Sequence, residues 1–370
     1  MRPGSDQLIK MLTGPVSPRL IVDSFYGPTR TKTDLGADGW ELTWDSEAEI
    51  KSAGTLTVVY NDDLAKSLSP AEFNDVLAPF GQEVNLRLEI TVGESFVETV
   101  QLGHYRITAV PDARDEHFDH LGQTVTLGSR ITLTLEDRLV GLKRWGFRTE
   151  QSPVETTCWA ELRRISGMQI IASVTDQPVP AGLIYKATRG GRLTAVQDLA
   201  RVLGGIPYVT PDGALSVLSD TWGAAVAALV LGEEGTILDV GHSMESEGVC
   251  NEVVGNFESE DRTPIYAVAE LTEGPLATTG QYGRNTLYVT DETITTQRDA
   301  QAYVDATLAR VSSRQVYRVP VQCLINPLVE DGDLVTVERP EGETLTGRIV
   351  NHKFGSGRMM SLELDVQRDV

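Results

Sequence analysis

The chain has 370 residues, which is too long for one ordinary hydrophobic core, so two to four domains are expected. Hydrophobic residues make up 41% and charged residues 23%, a composition that excludes a disordered chain. The net charge of −21 repels phosphate groups and argues against binding along a nucleic-acid backbone.

The N-terminal third alternates polar and apolar residues as half-buried β-strands do. A short helix is predicted within residues 1–15, where Ser5 and Asp6 can cap it. A second short helix is predicted around Pro70 to Leu77, and an exposed loop from Pro111 to His120. Six to eight strands before residue 140, with turn signals about every ten residues, predict a closed barrel or a sandwich. Their positions are 20–26, 40–44, 50–60, 83–91, 99–110, 124–127 and 130–136.

The middle of the chain has helical periodicity. Glu155 to Ser166 and Leu193 to Leu203 each place apolar residues on one helical face. A hairpin follows, with Pro211-Asp212-Gly213 as its turn. The apolar run from Ala224 to Leu231 fits a core strand and a connector equally well. These features predict a small α+β module.

Strand patterns return after Gly235, with a third helix at about 295–312. We therefore predict a mainly β fold with an α+β insert, made of two β-barrel domains and a small α+β domain. The predicted domains are 1–148 (N-terminal barrel), 149–235 (α+β) and 236–370 (second barrel with the helix). Two β domains of related size suggest an old duplication.

No apolar run is long enough to cross a membrane as a helix, and the N-terminus lacks the apolar core of a signal peptide. Synthesis in a cytoplasm is therefore expected. The cysteines Cys158, Cys250 and Cys323 are far apart and form no Cys-x-x-Cys pair. We interpret them as small, buried apolar residues rather than zinc ligands or disulfides.

The strongest metal candidate is the acidic segment that contains His117 and His120. Since His104, His242 and His352 are isolated and no second cluster exists in the sequence, we interpret the segment as solvated and predict no metal site. Cys158 stands at the start of a helix, yet no histidine is near it in sequence.

Catalytic motifs are also weak. No Gly-x-Ser-x-Gly elbow occurs, and Gly355-Ser356-Gly357 fits a turn. The double glycines at 190–191 and 204–205 match no phosphate-binding loop. Carboxylate pairs such as Asp62-Asp63, Glu233-Glu234 and the segment 258–261 are expected in any acidic protein, and aromatics are only 6%. We predict no catalytic residue and no cofactor.

Several segments resemble, in order and spacing, the tailed-phage baseplate and tail-tip hub family, in particular minor tail proteins of actinobacterial siphophages. They are Met1-Arg2-Pro3, Leu77-Ala78-Pro79-Phe80-Gly81-Gln82-Glu83-Val84, Leu102-Gly103-His104-Tyr105-Arg106-Ile107, Leu193-Thr194-Ala195-Val196-Gln197-Asp198-Leu199-Ala200 with Pro207-Tyr208 and Pro211-Asp212-Gly213, Asn251-Glu252-Val253-Val254-Gly255, and Asn326-Pro327-Leu328-Val329-Glu330-Asp331-Gly332-Asp333-Leu334-Val335. Their order and spacing match along nearly the whole chain.

The resemblance implies a structural virion protein at the phage tail tip, without catalytic residues. It implies a homotrimer with two tail-tube-like barrels in each subunit, in a ring that joins the tail tube to the tip and lets genomic DNA pass without specific binding. The implied partners are the distal tail protein, the tape measure protein and a central fibre or tip protein. The loop from Asn61 to Phe80 and the hairpin near Pro340 are our hypotheses for contacts between subunits.

Two alternative functions belong to other classes of protein, an enzyme and a binding module. A cell-wall hydrolase of the tail would need a catalytic constellation, which the sequence does not show. A receptor- or glycan-binding tail module would expose Trp and Tyr on loops. Trp40, Trp44 and Trp159 lie in periodic runs and are predicted to be buried, whereas Trp145 and Trp222 are undecided.

Overall fold

The structure is a computed structural model that describes residues 1–14, 16–61, 66–93, 96–121, 123–232, 235–241, 249–259, 263–290, 294, 296–313, 316–340 and 342–367. The predicted mainly β fold is confirmed, with 47% strand and 14% helix. The helices are α1 (Asp6–Met11), α2 (Leu139–Arg144), α3 (Cys158–Ser166), α4 (Gly191–Val202) and α5 (Gln297–Ser313).

The strands are β1 (Ser17–Tyr26), β2 (Thr29–Asp45), β3 (Ser52–Tyr60), β4 (Gln82–Val92), β5 (Phe96–His120), β6 (Gln123–Asp137), β7 (Gly205–Val209), β8 (Leu215–Ser219), β9 (Ala227–Leu229), β10 (Ile237–Val240), β11 (Glu252–Glu258), β12 (Pro264–Glu270), β13 (Thr286–Val289), β14 (Val316–Leu324), β15 (Leu334–Glu338), β16 (Thr344–Gly355) and β17 (Met359–Gln367).

The N-terminal strands form a closed barrel. They pair in the order β1-β4-β5-β6-β3-β2, and β2 pairs with β1 again. Each of these pairings is antiparallel. Leu86, Leu88 and Ile90 alternate along β4 and are fully buried, as the period-two pattern of the sequence predicts. Closure of the sheet leaves no strand edge open along the ring.

A second six-stranded sheet follows the order β9-β15-β16-β17-β14-β10. Its two end strands meet at Val230, which directly follows β9. The Val230 carbonyl accepts hydrogen bonds from the backbone N–H groups of Thr236 and Ile237, at 3.0 and 3.2 Å. These bonds bring β9 next to the start of β10, so this sheet also curls into a barrel.

Strand β2 of the first barrel pairs with β16 of the second. Near its end, Trp44 lies opposite Ser52 of β3 on one side and opposite His352 of β16 on the other. Continuous backbone hydrogen bonding through β2 therefore joins the two barrels edge to edge.

The middle of the chain forms an α+β module with its own core. Helices α2, α3 and α4 pack with the β7–β8 hairpin around buried residues that include Trp159, Leu162, Val196 and Leu199. Helix α3 ends at Gly167, which has a left-handed φ of 65° and lets the chain turn away. The predicted helices and hairpin of this region are present.

Residues Gly241–Pro320, with the C-terminal residues from Asp365, form a second compact unit. In it, β11 pairs antiparallel with β12 and parallel with β13, and α5 covers one face of this sheet. Ala300, Val304 and Leu308 of α5 complete its core. The predicted domain 236–370 contains this unit, and the strands of the second barrel come mostly from the chain before Gly241 and after Pro320.

Two local predictions are wrong. Residues 70–77 form turns rather than a helix. The Asp75 carboxylate accepts hydrogen bonds from the backbone N–H groups of Ala71 and Glu72, which competes with helical bonding. The segment Pro111 to His120, predicted as a loop, continues strand β5 and pairs with β6. Among the described residues, no helix is both long and apolar enough to cross a membrane.

Candidate functional site

Aromatic side chains form a column where the two barrels join. The rings of Trp44 and His352 stack with centroids 4.5 Å apart and an interplanar angle of 6°. Phe354 stacks against Trp44 at 5.1 Å, and Trp40 packs edge-on against Phe354 at 5.7 Å. These residues alternate along β2 and β16, so the strand pairing itself places the rings on one face.

Arg2 connects the N-terminal segment to this column. Its guanidinium lies 5.0 Å from the Trp44 ring centroid, a cation–π contact, and its Nη1 donates hydrogen bonds to the carbonyls of Pro327 and Val329. The Arg2 backbone N–H donates to the Leu328 carbonyl at 2.6 Å. Arg2 is buried, so these bonds replace the hydration that the guanidinium loses.

His352 and Asp331 form a buried pair beside the column, with 2.7 Å between Nδ1 and Oδ1. Burial lowers the pKa of His352 well below its usual value, and Arg2 lowers it further. Burial also raises the pKa of Asp331 well above its usual value, against the opposing effect of Arg2. Both shifts favour the uncharged forms, and the tautomer of the imidazole decides which of the two groups donates the hydrogen bond.

Asp137 holds the start of α2 against the first barrel. Its carboxyl accepts hydrogen bonds from the backbone N–H groups of Leu139 at 2.7 Å and Ser52 at 2.9 Å. Burial raises the pKa of Asp137 to about 7, although these backbone hydrogen bonds lower it. Ser52 also bonds the Tyr105 hydroxyl, whose pKa burial raises.

The cavity among these groups has a volume of about 40 Å³ and is lined by residues that include Arg2, Lys51, Asp137, Tyr208 and Asp331. Such a cavity holds only a few water molecules and no substrate of ordinary size. The polar cluster at the junction therefore holds the barrels and the α+β module together. Sequence reasoning missed it, because its members are scattered from position 2 to position 352.

The predicted metal candidates lie apart from this junction. His117 is exposed on β5, and the side chain of His120 lies outside the described residues. Within the described part of the chain, no group of three or more His, Cys, Asp or Glu residues could hold a metal ion. Cys158 and Cys323 are buried and Cys250 is half-buried, and all three are free thiols. Burial raises the pKa of Cys158 and raises that of Cys323 to about 12, which makes both poor nucleophiles.

The remaining candidates are dispersed. Ser356 lies in the turn between β16 and β17. Asp62, Asp63, Glu233, Glu234, Glu260, Asp261 and His242 lie outside the described residues. Trp40 and Trp159 are buried as predicted, Trp44 and Trp222 are half-buried, and Trp145 is exposed.

The predicted contact loop presents an aromatic pair to solvent. Phe73 and Phe80 meet edge to face at 4.7 Å, and Phe73 is 71% exposed. Leu77 and Ala78 of the same loop are buried, and the Leu68 backbone N–H ties the loop to the first barrel by donating to Ser129 Oγ of β6 at 2.9 Å. Residues 62–65 of this loop and Glu341 of the hairpin near Pro340 lie outside the described residues.

Similar solved structures share this architecture over nearly the whole chain. A tail protein from Neisseria meningitidis MC58 has a TM-score of 0.58 at 14% identity, over 94% of this chain and 96% of that one. The 43 kDa tail protein of prophage MuSo2 from Shewanella oneidensis has a TM-score of 0.56 at 14% identity, over 93% and 98%. The chain has the fold of phage tail proteins.

A component of the type VI secretion system of E. coli is also similar, with a TM-score of 0.52 at 11% identity, over 95% of this chain and 77% of that one. That protein is described as structurally similar to the T4 bacteriophage tail proteins gp27 and gp5. The predicted resemblance to phage tail and baseplate proteins is therefore confirmed at the level of the fold. No protein-family model matches the sequence, and no curated protein matches it significantly.

Proposed function

We propose that this chain is a structural, non-enzymatic subunit of a baseplate hub at the tip of a phage tail. The observation that supports this most is the edge-to-edge joining of two six-stranded barrels through β2 and β16 in a tail-protein fold. Three copies of such a double barrel place six barrels around one axis. A ring of this kind matches a six-fold tail tube on one side and a three-fold tip on the other.

The proposed ring surrounds a channel through which genomic DNA passes. A chain with a net charge of −21 gives the channel wall an acidic character, and like charge keeps the DNA phosphates from adhering. The proposed partners are the distal tail protein, the tape measure protein and a central fibre or tip protein. The proposed location is accordingly the virion, after synthesis in the host cytoplasm.

Electron microscopy of the purified chain, alone and mixed with its tail-tip partners, tests this proposal. The expected particle is a three-fold ring with six barrel densities around an open channel. Particles without a ring under both conditions would contradict it. Release of fragments from peptidoglycan, or specific binding on a glycan array, would favour a tail hydrolase or a receptor-binding module instead.

A further inference from the structure

One surface of the α+β module has the opposite charge to the rest of the chain. Ten basic and five acidic residues lie between Arg138 and Arg201, although the whole chain has 53 acidic and 32 basic residues. The basic face, as we define it, consists of Arg144, Trp145, Arg148, Lys186, Arg189 and Arg192. Of these, Arg144, Arg148, Lys186 and Arg189 are exposed and join no ion pair among the described residues.

Two chain segments come together to form the basic face. A Cβ on Gly146 would lie 2.4 Å from the Thr188 carbonyl oxygen, and a Cβ on Gly191 would lie 3.5 Å from Cδ2 of Phe147. The segments 144–148 and 186–192 therefore pack with no space between their backbones. This contact brings together basic side chains from both segments.

Trp145 is the apolar centre of the basic face. It is 53% exposed, and the Arg192 guanidinium stacks 3.7 Å from its ring centroid. Arg192 also donates a hydrogen bond to the Ile165 carbonyl, and it joins no ion pair among the described residues. An exposed Trp held by an Arg and surrounded by further cations is the composition of a contact centre for an acidic partner.

An acidic surface of complementary character lies on the hairpin of β5 and β6. Strand β3 pairs with β6 only from Ser129 onward, so the residues beyond it form a two-stranded ribbon. This acidic arm, residues 116–121 and 123–128, contains the carboxylates Glu116 and Asp119 and no Lys or Arg. Leu121 at its tip is 93% exposed, and Phe118 and Leu127 are also exposed. An isolated two-stranded ribbon is only marginally stable in water, which favours a partner for the arm.

The arm and the basic face of one copy cannot reach each other. Strand β6 runs from the arm tip at Gln123 to Asp137, and α2 with the basic face begins directly after its end. At about 3.3 Å per residue, the two surfaces are separated by roughly 45 Å along this strand. Complementary surfaces at opposite ends of one subunit suit head-to-tail contact between identical copies, which forms a ring when the rotation between successive copies closes.

We infer that the acidic arm of one copy docks on the basic face of the next copy, with Leu121 and Phe118 against Trp145 and the arm carboxylates against Arg144 and Arg189. This inference rests on the proposed assembly of the chain into a ring and assigns the contact that forms it. It uses a second copy as partner because this strongly acidic chain itself provides an acidic ribbon with an apolar tip.

Charge reversal tests the contact. The variants are R144E/R189E on the basic face, E116K/D119K on the arm, and the combination of all four substitutions. The control, K10E/R298E, makes the same change in net charge as the basic-face variant, at exposed positions outside both surfaces. Light scattering over a range of concentrations measures the assembly, and circular dichroism confirms that each variant is folded.

Each two-site variant should need at least about tenfold more protein to assemble, since like charges placed opposite each other repel strongly. The fourfold variant should recover to within about threefold of the wild type, because its charges are again opposite, and the control should behave as the wild type does. Should R144E/R189E fail to fold, R144Q/R189Q carries the same test with a smaller loss.

Assembly that is unchanged in both two-site variants, or not recovered in the fourfold variant, would overturn the inference. It would do so while leaving the proposed ring intact, whereas a wild type that never assembles contradicts the ring itself. Fluorescence anisotropy with a labelled DNA duplex tests the alternative that the basic face binds nucleic acid. Loss of DNA binding in R144E/R189E without any change in mass would overturn the docking and assign the basic face to nucleic acid.

Discussion

At the residue scale, Asp137 makes folding depend on pH. Its folded pKa is about 7, compared with 3.8 for the ordinary group. Between these values the folded protein binds a proton at Asp137 that the unfolded chain does not bind. The contribution of Asp137 therefore makes the folded state more stable as pH falls from 8 to 5.

Asp137→Asn should remove this contribution. We expect the gain in unfolding free energy between pH 8 and pH 5 to be smaller in the variant than in the wild type, as measured by urea unfolding at both values. Asp331 and His352 also contribute to the pH dependence of the unfolding free energy, with opposite signs. Both residues are present in the wild type and in the variant, so their contributions cancel when the two proteins are compared. The exposed control Asp220→Asn should follow the wild type within about 0.5 kcal/mol. An unchanged pH dependence in Asp137→Asn would contradict the assignment.

The aromatic column at the junction predicts a large loss of stability on truncation. Phe354 is buried between Trp40 and Trp44, so Phe354→Ala should reduce the unfolding free energy by about 3–5 kcal/mol. Urea unfolding measures this directly. Leu121→Ala, at an almost fully exposed tip, is the control and should change the free energy of the monomer by less than about 0.5 kcal/mol. Equal effects of the two changes would show that the column does not hold the barrels.

At the scale of elements, the hydrophobic periodicity of the sequence predicted the helices and strands that are amphipathic. Helices α3, α4 and α5 and the β7–β8 hairpin each bury one face, so their patterns are visible in the sequence. The β5 half of the acidic arm was missed because both of its faces are largely solvated, and no apolar alternation marks it as a strand. The false helix near Pro70 arose because the Asp75 side chain supplies turn bonds that composition does not reveal.

The contact loop gives a prediction at this scale. Phe73→Ala removes an exposed ring while the Leu68 hydrogen bond continues to fix the loop, so the stability of a single copy should change by less than about 0.5 kcal/mol. If the loop contacts a neighbouring subunit, the protein concentration needed for assembly should rise about tenfold or more, as for a buried aromatic at an interface. Light scattering measures it. Unchanged assembly would remove Phe73 from the interface.

At the scale of the whole molecule, the sequence predicted two β domains around an α+β module, but it did not predict which strands form each barrel. The second barrel draws β9 and β10 from before residue 241 and β14 to β17 largely from after residue 320. Strand pairing across such distances leaves no local pattern. The junction cluster was equally unpredictable, because Arg2, Asp137 and His352 meet only after both barrels have formed.

The number of copies in the assembled particle tests the proposed hub function most directly. Multi-angle light scattering of the purified chain, alone and with its tail-tip partners, measures that number. We predict three copies of the 40.3 kDa chain in the particle, in at least one of the two conditions. A single copy under both conditions, at concentrations up to those of virion assembly, would contradict the ring and the hub function built on it.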